Sequence, residues 1–359
     1  MYLNGSQAAA TRQIREWQHQ YNQYIFETLQ LRTSGCTFDK LQFRREWSSL
    51  SKQQRIDYTA AVRCLQKKPH ILPNTQVPGA RSRFDDVIAT HIFKAPYIHF
   101  SGIFLPWHRY YTYIYDQILR SECGYSGPQP YWDWTLSYRD PRKSKIFDGS
   151  VDSMGSNGKT IPHNSTQVTA FGLVIDVPPA TGGGCVHEGP FTDYVVNLGP
   201  ASYEPKVGNG SGLDYNPRCL KRDVSLEYAK TTKPTDVVAL IGGNNNLEAF
   251  STSIELPNGV HAGGHFTIGG DPGNDPLASA GDPIFYQHHA QVDRLWTIWQ
   301  ALDPKARFGK VFGTSTAFNT PPSPNVTLDF ELQFNVLAEP QTIGSVDSTV
   351  DGPFCYIYV

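Results

Sequence analysis

Apolar residues recur at helical spacing along residues 8–30, where Ile14, Trp17, Tyr21, Tyr24 and Leu29 share one stripe and predict an amphipathic helix. Ser51 with Gln54 three residues on reads as a capping box. That second helix runs through Ile56, Ala60 and Cys64 and stops before Pro69. A third is predicted from Ser82, with Asp85 in its first turn and His91 near its end. Pro96 is expected to break it, leaving an aromatic loop over residues 97–104. Pro106 suits a helix start, so residues 107–123 form the fourth helix.

Residues 140–230 differ in texture. They are rich in Gly, Pro, Asn and Ser, hold no helical period, and read as an elaborated loop region over the core. Helical signals return at 235–241 and 244–254, and residues 261–266 read as a short helix. Asp282 and Pro283 fit the N-cap and first position of a helix reaching about Leu302. Short alternating runs near the end, such as 328–336, read as strands. The expected class is mainly α, one domain over residues 1–359, with long loops and a few short strands.

Composition narrows the function. A net charge of −2 over 359 residues offers no basic stripe for nucleic acid. No apolar run approaches the ~20 residues of a membrane helix. Six cysteines, none in a C-x-x-C pair, together with four N-x-[ST] sequons at Asn4, Asn164, Asn209 and Asn325, point to a disulfide-bonded secreted protein. No signal peptide follows Met1, so a mature or trimmed form is expected. Cys185 and Cys219 flank one Gly-rich region and are the pair expected to bond.

Histidines carry the chemistry. His91, His99 and His108 fall in one segment, and His261, His265 and the pair His288-His289 in another. His261 and His265, four apart on a helix, put both imidazoles on one face. Gly263 and Gly264 leave room for something close to that backbone. Adjacent residues point about 100° apart on a helix, so only one of His288 and His289 can face a given metal. The stripe that runs on to Trp296 favours His289 as ligand, with His288 behind it. His19, His70, His163 and His187 lack partners at ligand spacing. Two all-imidazole sets suit Zn, Cu or Fe. The absence of carboxylates disfavours a di-iron carboxylate site, and His-Ala-Gly-Gly-His lacks the glutamate of a zinc protease, which leaves copper.

At these residues the sequence resembles the type 3 copper proteins, specifically the short fungal catechol oxidases and tyrosinases. The resemblance rests on Phe104-Leu-Pro-Trp-His-Arg-Tyr, Tyr131-Trp-Asp-Trp, His261-Ala-Gly-Gly-His-Phe-Thr-Ile-Gly-Gly, and the run from Asp282 to Trp296. It extends to Tyr356-Ile-Tyr358, similar to the motif that closes the family's catalytic domain. It implies a four-helix bundle around two copper ions. His91, His99 and His108 would hold the first, and His261, His265 and His289 the second. His288 would stand behind the ligands, and Asp293 would form an ion pair or orient a group behind them. Because the chain stops at Val359, an open site without a C-terminal shielding domain is expected.

Two departures bear on activity. Many relatives have a cysteine, thioether-linked to the second histidine, where this chain has Tyr97. Tyrosinases commonly place an asparagine after the first histidine of the second site, with a glutamate, to hold the water that deprotonates monophenols. This chain has Ala262, with Glu255 or Glu248 as the acid in reach. The expectation is therefore oxidation of o-diphenols to o-quinones with reduction of O2 to water, by a monomer or weak dimer. Alternatives are a tyrosinase that also hydroxylates monophenols or o-aminophenols, and a haemocyanin-like O2 carrier, which needs a covered site. Phe266 and Leu277 are expected to line the substrate pocket, and Asp133 to be structural.

Overall fold

The computed structural model describes residues 5–30 and 32–359; the Asn4 sequon lies outside them. The helices are α1 (Gly5–Gln30), α2 (Lys52–Leu65), α3 (Arg83–Ile98), α4 (Phe104–Cys123), α5 (Leu226–Ala229), α6 (Pro234–Gly243), α7 (Leu247–Glu255), α8 (Val260–Ile268), the short kinked α9 (Gly270–Gly273), α10 (Phe285–Leu302) and α11 (Pro304–Arg307).

Local chemistry sets the helix starts. The capping box of α2 is formed: the Gln54 amide donates to Ser51 Oγ at 3.2 Å, and the Ser51 amide to Gln54 Oε1 at 2.9 Å. Ser82 and Asp85 do the same for α3. Pro96 does not break α3, which continues to Ile98. A proline in the last turn removes a single backbone donor. The carbonyls left unpaired at the end of the helix find side chains, with His99 Nδ1 3.0 Å from the Ala95 oxygen and Ser101 Oγ 2.6 Å from that of Tyr97. Helix α4 starts at Phe104, not at 107, and places Pro106 in its first turn, where no N–H is needed. Helix α10 starts at Phe285, not at Pro283. Asp282 caps the preceding turn through the Ile284 amide and forms a buried ion pair with Arg222 at 2.8 Å.

Helix α10, buried along almost its whole length, packs against α1, α4, α6 and α8, while α2 and α3 pack against α4. The histidine-bearing helices α3, α4, α8 and α10 form the bundle. Its core is aromatic: Tyr115 and Tyr286 stack at 3.5 Å, and Trp107, Tyr111 and Phe334 form a second stack.

The strands are short and paired. Strand β1 (Gln42–Arg44) lies parallel to β10 (Tyr356–Tyr358), joining the segment after α1 to the last strand. Residues 140–230 are not plain loop. They hold β2 (Gly158–Thr160) on β5 (Gly183–Val186), β3 (Thr166–Ala170) on β4 (Leu173–Val177), and β6 (Val195–Val196) on β7 (Arg218–Cys219). The expected strand at 328–336 shrinks to β8 (Glu331–Leu332), paired with β9 (Gln341–Thr342). Cys185–Cys219 bond as expected, and Cys36–Cys355 and Cys64–Cys123 complete the disulfides. Among the described residues no helix is long and apolar enough to cross a membrane.

Candidate metal centre

Two groups of buried histidines face each other inside the bundle. His91 on α3, His99 just past its end and His108 in the first turns of α4 form one; His261 and His265 on α8 with His288 and His289 on α10 form the other. In the first group the ring centroids lie 5.1–5.7 Å apart. The Nδ1 atoms sit 2.7, 3.0 and 2.8 Å from the carbonyls of Leu277, Ala95 and Phe104. A carbonyl only accepts, so each Nδ1 carries the proton and each Nε2 keeps a lone pair aimed inward. The Nε2 atoms of His91 and His108 are buried without a partner.

In the second group the Nε2 atom of His265 lies 3.1 Å from that of His261 and 3.2 Å from that of His289. His288 is buried beside them, its ring 5.2 Å from that of Trp134, and neither of its nitrogens has a hydrogen-bond partner. It is therefore not a hydrogen-bonded core histidine. The two groups meet where the His108 and His289 rings stack at 4.3 Å. Burial keeps these imidazoles neutral: His91 falls to about 3, His99 to about 4, and the others well below the usual range. Neutral imidazoles with converging unpaired nitrogens are the donor set a pair of metal ions requires. His19, His70, His163 and His187 stand outside both groups.

The family is decided by the comparisons with known proteins. A family model of the common central domain of tyrosinase matches residues 81–302, which contain all seven clustered histidines. The chain belongs to the tyrosinase family. It is 39% identical over 332 residues to tyrosinase P of Aspergillus terreus, covering 89% of this chain and 92% of that protein. To an N-acetyl-6-hydroxytryptophan oxidase of Emericella nidulans it is 34% identical over 348 residues, covering 90% and 93%. Its fold superimposes on the polyphenol oxidase of Thermothelomyces thermophila with a TM-score of 0.90 at 42% identity, over 97% of this chain and 98% of that one. The tyrosinase-family assignment makes the chain an oxidoreductase of phenols.

A cavity opens onto His99, His261 and His265. Ala262, Phe266 and Glu255 line it, whereas Glu248 is exposed on the first turn of α7. Leu277 departs from expectation. Its carbonyl fixes His91, and the neighbouring Pro276 lines the cavity instead. Asp293 takes the ion-pair role, one of the two expected for it. Its oxygens are taken by Arg109 at 2.5 Å and by the hydroxyls of Tyr356 at 2.7 Å and Tyr358 at 2.6 Å, not by a histidine. Asp133 is structural, accepting from the Thr135 amide, Gln291 and Arg294. Tyr97 is 48% exposed, whereas His99 is buried.

The opposite cavity wall is the β3–β4 hairpin, through Val168, Ala170, Phe171, Leu173 and Ile175. Sequence reasoning missed it. The signal was present: alternating Val168, Ala170, Leu173 and Ile175 about a two-residue Phe171-Gly172 turn.

Proposed function

We propose that this chain oxidises o-diphenols to o-quinones at two copper ions held by His91, His99 and His108 and by His261, His265 and His289, with O2 reduced to water. The observation that carries the reading is the pair of neutral histidine clusters meeting at the His108–His289 stack, beside a cavity lined by His99, His261 and His265. Bound copper supplies the electron transfer from phenol to O2. The protein supplies the rest. Carbonyls of Leu277, Ala95 and Phe104 hold three imidazoles in the tautomer that presents Nε2. Phe104, Phe285 and Trp107 wall the clusters in and keep water out.

Diphenols are favoured over monophenols by two side chains. Ala262 puts a methyl group, with no hydrogen-bonding atom, on the cavity wall. Burial pushes the Glu255 carboxyl well above its usual range, so it holds its proton and is a poor acceptor for one from a phenol. Its Oε1 accepts from the Phe100 amide at 2.6 Å. A tyrosinase reading, with hydroxylation of monophenols or o-aminophenols, is favoured by the same carboxyl: it is the acid that lines the cavity. Oxygen uptake on 4-methylcatechol and then on 4-methylphenol, after copper analysis, decides. Uptake on the catechol alone supports the proposal, uptake on both makes the protein a tyrosinase, and two coppers with no uptake revives the carrier.

A further inference from the structure

Two phenylalanines that line the cavity and a third stacked on one of them share an uncommon backbone. Phe100, Phe171 and Phe318 have φ of 50°, 54° and 49°. The left-handed region is disfavoured for a bulky residue, and such strain persists only where the surroundings impose it. Here they do. The Phe100 amide donates to Glu255 Oε1, and its carbonyl accepts from the Phe318 amide at 3.0 Å. Phe171 is the first residue of a two-residue hairpin turn whose second, Gly172, has φ 77°. A turn with both central residues left-handed prefers Asn or Gly at the first position. Nothing in hairpin geometry asks for phenylalanine there.

The rings explain the choice. Phe171 lies against His99 at 5.0 Å and against Phe100 at 5.6 Å, and Phe100 stacks on Phe318 at 4.5 Å. A continuous aromatic path thus leads from a metal-facing imidazole to Phe318, which is 52% exposed. The cavity lining contains no lysine, arginine or aspartate, and its one glutamate is held neutral by burial.

Resting on the phenol-oxidation reading, we propose that Phe100, Phe171 and Phe318 are specificity-determining residues that select uncharged phenols bearing a second aromatic ring. The reacting ring sits toward His99 and the second ring lies along the phenylalanines. Zwitterionic amino-acid phenols are disfavoured, because an ammonium and a carboxylate would lose water here and gain no partner.

Anaerobic calorimetry on the copper-loaded protein tests this with 4-methylphenol, biphenyl-4-ol and tyrosine. The variants are Phe171→Gly and Phe318→Gly, whose backbones glycine adopts freely, with Phe171→Asn as a second replacement at the turn. The wild type is expected to prefer biphenyl-4-ol to 4-methylphenol and to bind tyrosine weakest. Each variant should cut that biphenyl preference about two- to tenfold, the worth of one aromatic contact. An unchanged preference in the variants, or tyrosine bound as tightly as biphenyl-4-ol, overturns the proposal. Oxygen uptake on 4-methylcatechol is read separately. Its absence with intact ring-dependent binding counts against the oxidase reading alone, whereas normal uptake with no ring dependence counts against the rim alone.

Discussion

The imidazole of His288 fills the space that a β-carbon on Gly264 would need: such an atom would lie 2.3 Å from its Cε1 and Nδ1. Gly264 sits between His261 and His265, so its missing side chain lets α8 approach α10 closely enough to gather the second cluster. Gly264→Ala is expected to destabilise the fold by about 1–3 kcal/mol, the cost of overpacking, and to lower bound copper. Adding His288→Ala should restore most of both. Thermal unfolding and copper analysis of the two single variants and the double variant measure this coupling. A single Gly264→Ala variant that behaves like wild type would show that α8 is free to shift.

The same pair of neighbours separates ligand from wall. His289 Nε2 belongs to the short set with His265 and His261, whereas His288 stacks parallel to His261 at 5.5 Å. His289→Ala should therefore drop copper from two to about one per chain, the expected loss when a site loses one of three ligands. His288→Ala should retain both ions. The opposite pattern in elemental analysis would make His288 the ligand.

Much of this site was legible because its parts are local in sequence. Capping boxes at Ser51 and Ser82 depend on residues three apart, and His261 with His265 depends on the helical repeat alone. What escaped depends on distant contacts. Leu277 contributes its carbonyl, which no side-chain pattern reveals. The ion pair of Asp293 was expected but its partners were not, because Arg109, Tyr356 and Tyr358 converge on it from 184, 63 and 65 residues away. Pro96 misled because its cost depends on where in the helix it falls, and in the last turn it removes only one backbone donor. The β3–β4 hairpin was masked by its Gly- and Pro-rich surroundings and by a phenylalanine in a position that favours asparagine.

Ala262 and Glu255 bear on substrate choice together. Ala262→Asn puts an amide on the cavity wall within the same lining as Glu255 and should raise monophenol uptake relative to catechol uptake. One good hydrogen bond, worth about 1 kcal/mol, corresponds to roughly fivefold. Glu255→Gln in the Ala262→Asn background should cancel the gain if the carboxyl takes the proton. An oxygen-electrode comparison showing no gain from Ala262→Asn counts against the water-holding argument.

His163 provides a pH test far from the metal centre. Its Nδ1 lies 2.8 Å from the Ile161 carbonyl and its Nε2 2.8 Å from Asp223. Bonding to the Ile161 carbonyl, then the Asp223 carboxylate, raises the imidazole above its ordinary value of 6.5. The sign follows: protonation favours the folded state, so its contribution is fully present below pH 6.5 and fades as pH rises through the raised value. Denaturant unfolding of His163→Gln against wild type should show a stability gap that narrows between mildly acidic and mildly alkaline pH. A gap independent of pH would mean that the imidazole acts through packing on Gly183 alone.

Asp293 is the carboxylate on which the end of the chain closes. Arg109 and Arg44 are 0% and 1% exposed and lie 2.5 and 3.8 Å from its oxygens. Tyr356 and Tyr358, from β10, donate both hydroxyls to Oδ2. Removing the acid strands two buried guanidinium groups. Asp293→Ala is therefore expected to cost about 3–5 kcal/mol in denaturant unfolding, the usual penalty for breaking a buried ion pair. Asp293→Asn should fall between it and wild type, because an amide oxygen still accepts from the tyrosines while the charge is lost. Tyr358→Phe should cost less again, about 1–2 kcal/mol for one hydrogen bond to a charged group. Arg109 follows His108 directly on α4, so the Asp293→Ala protein should also hold copper in the first cluster more weakly. If Asp293→Asn unfolds like wild type, the carboxylate's charge is dispensable and the tyrosine hydrogen bonds alone hold the terminus to the bundle.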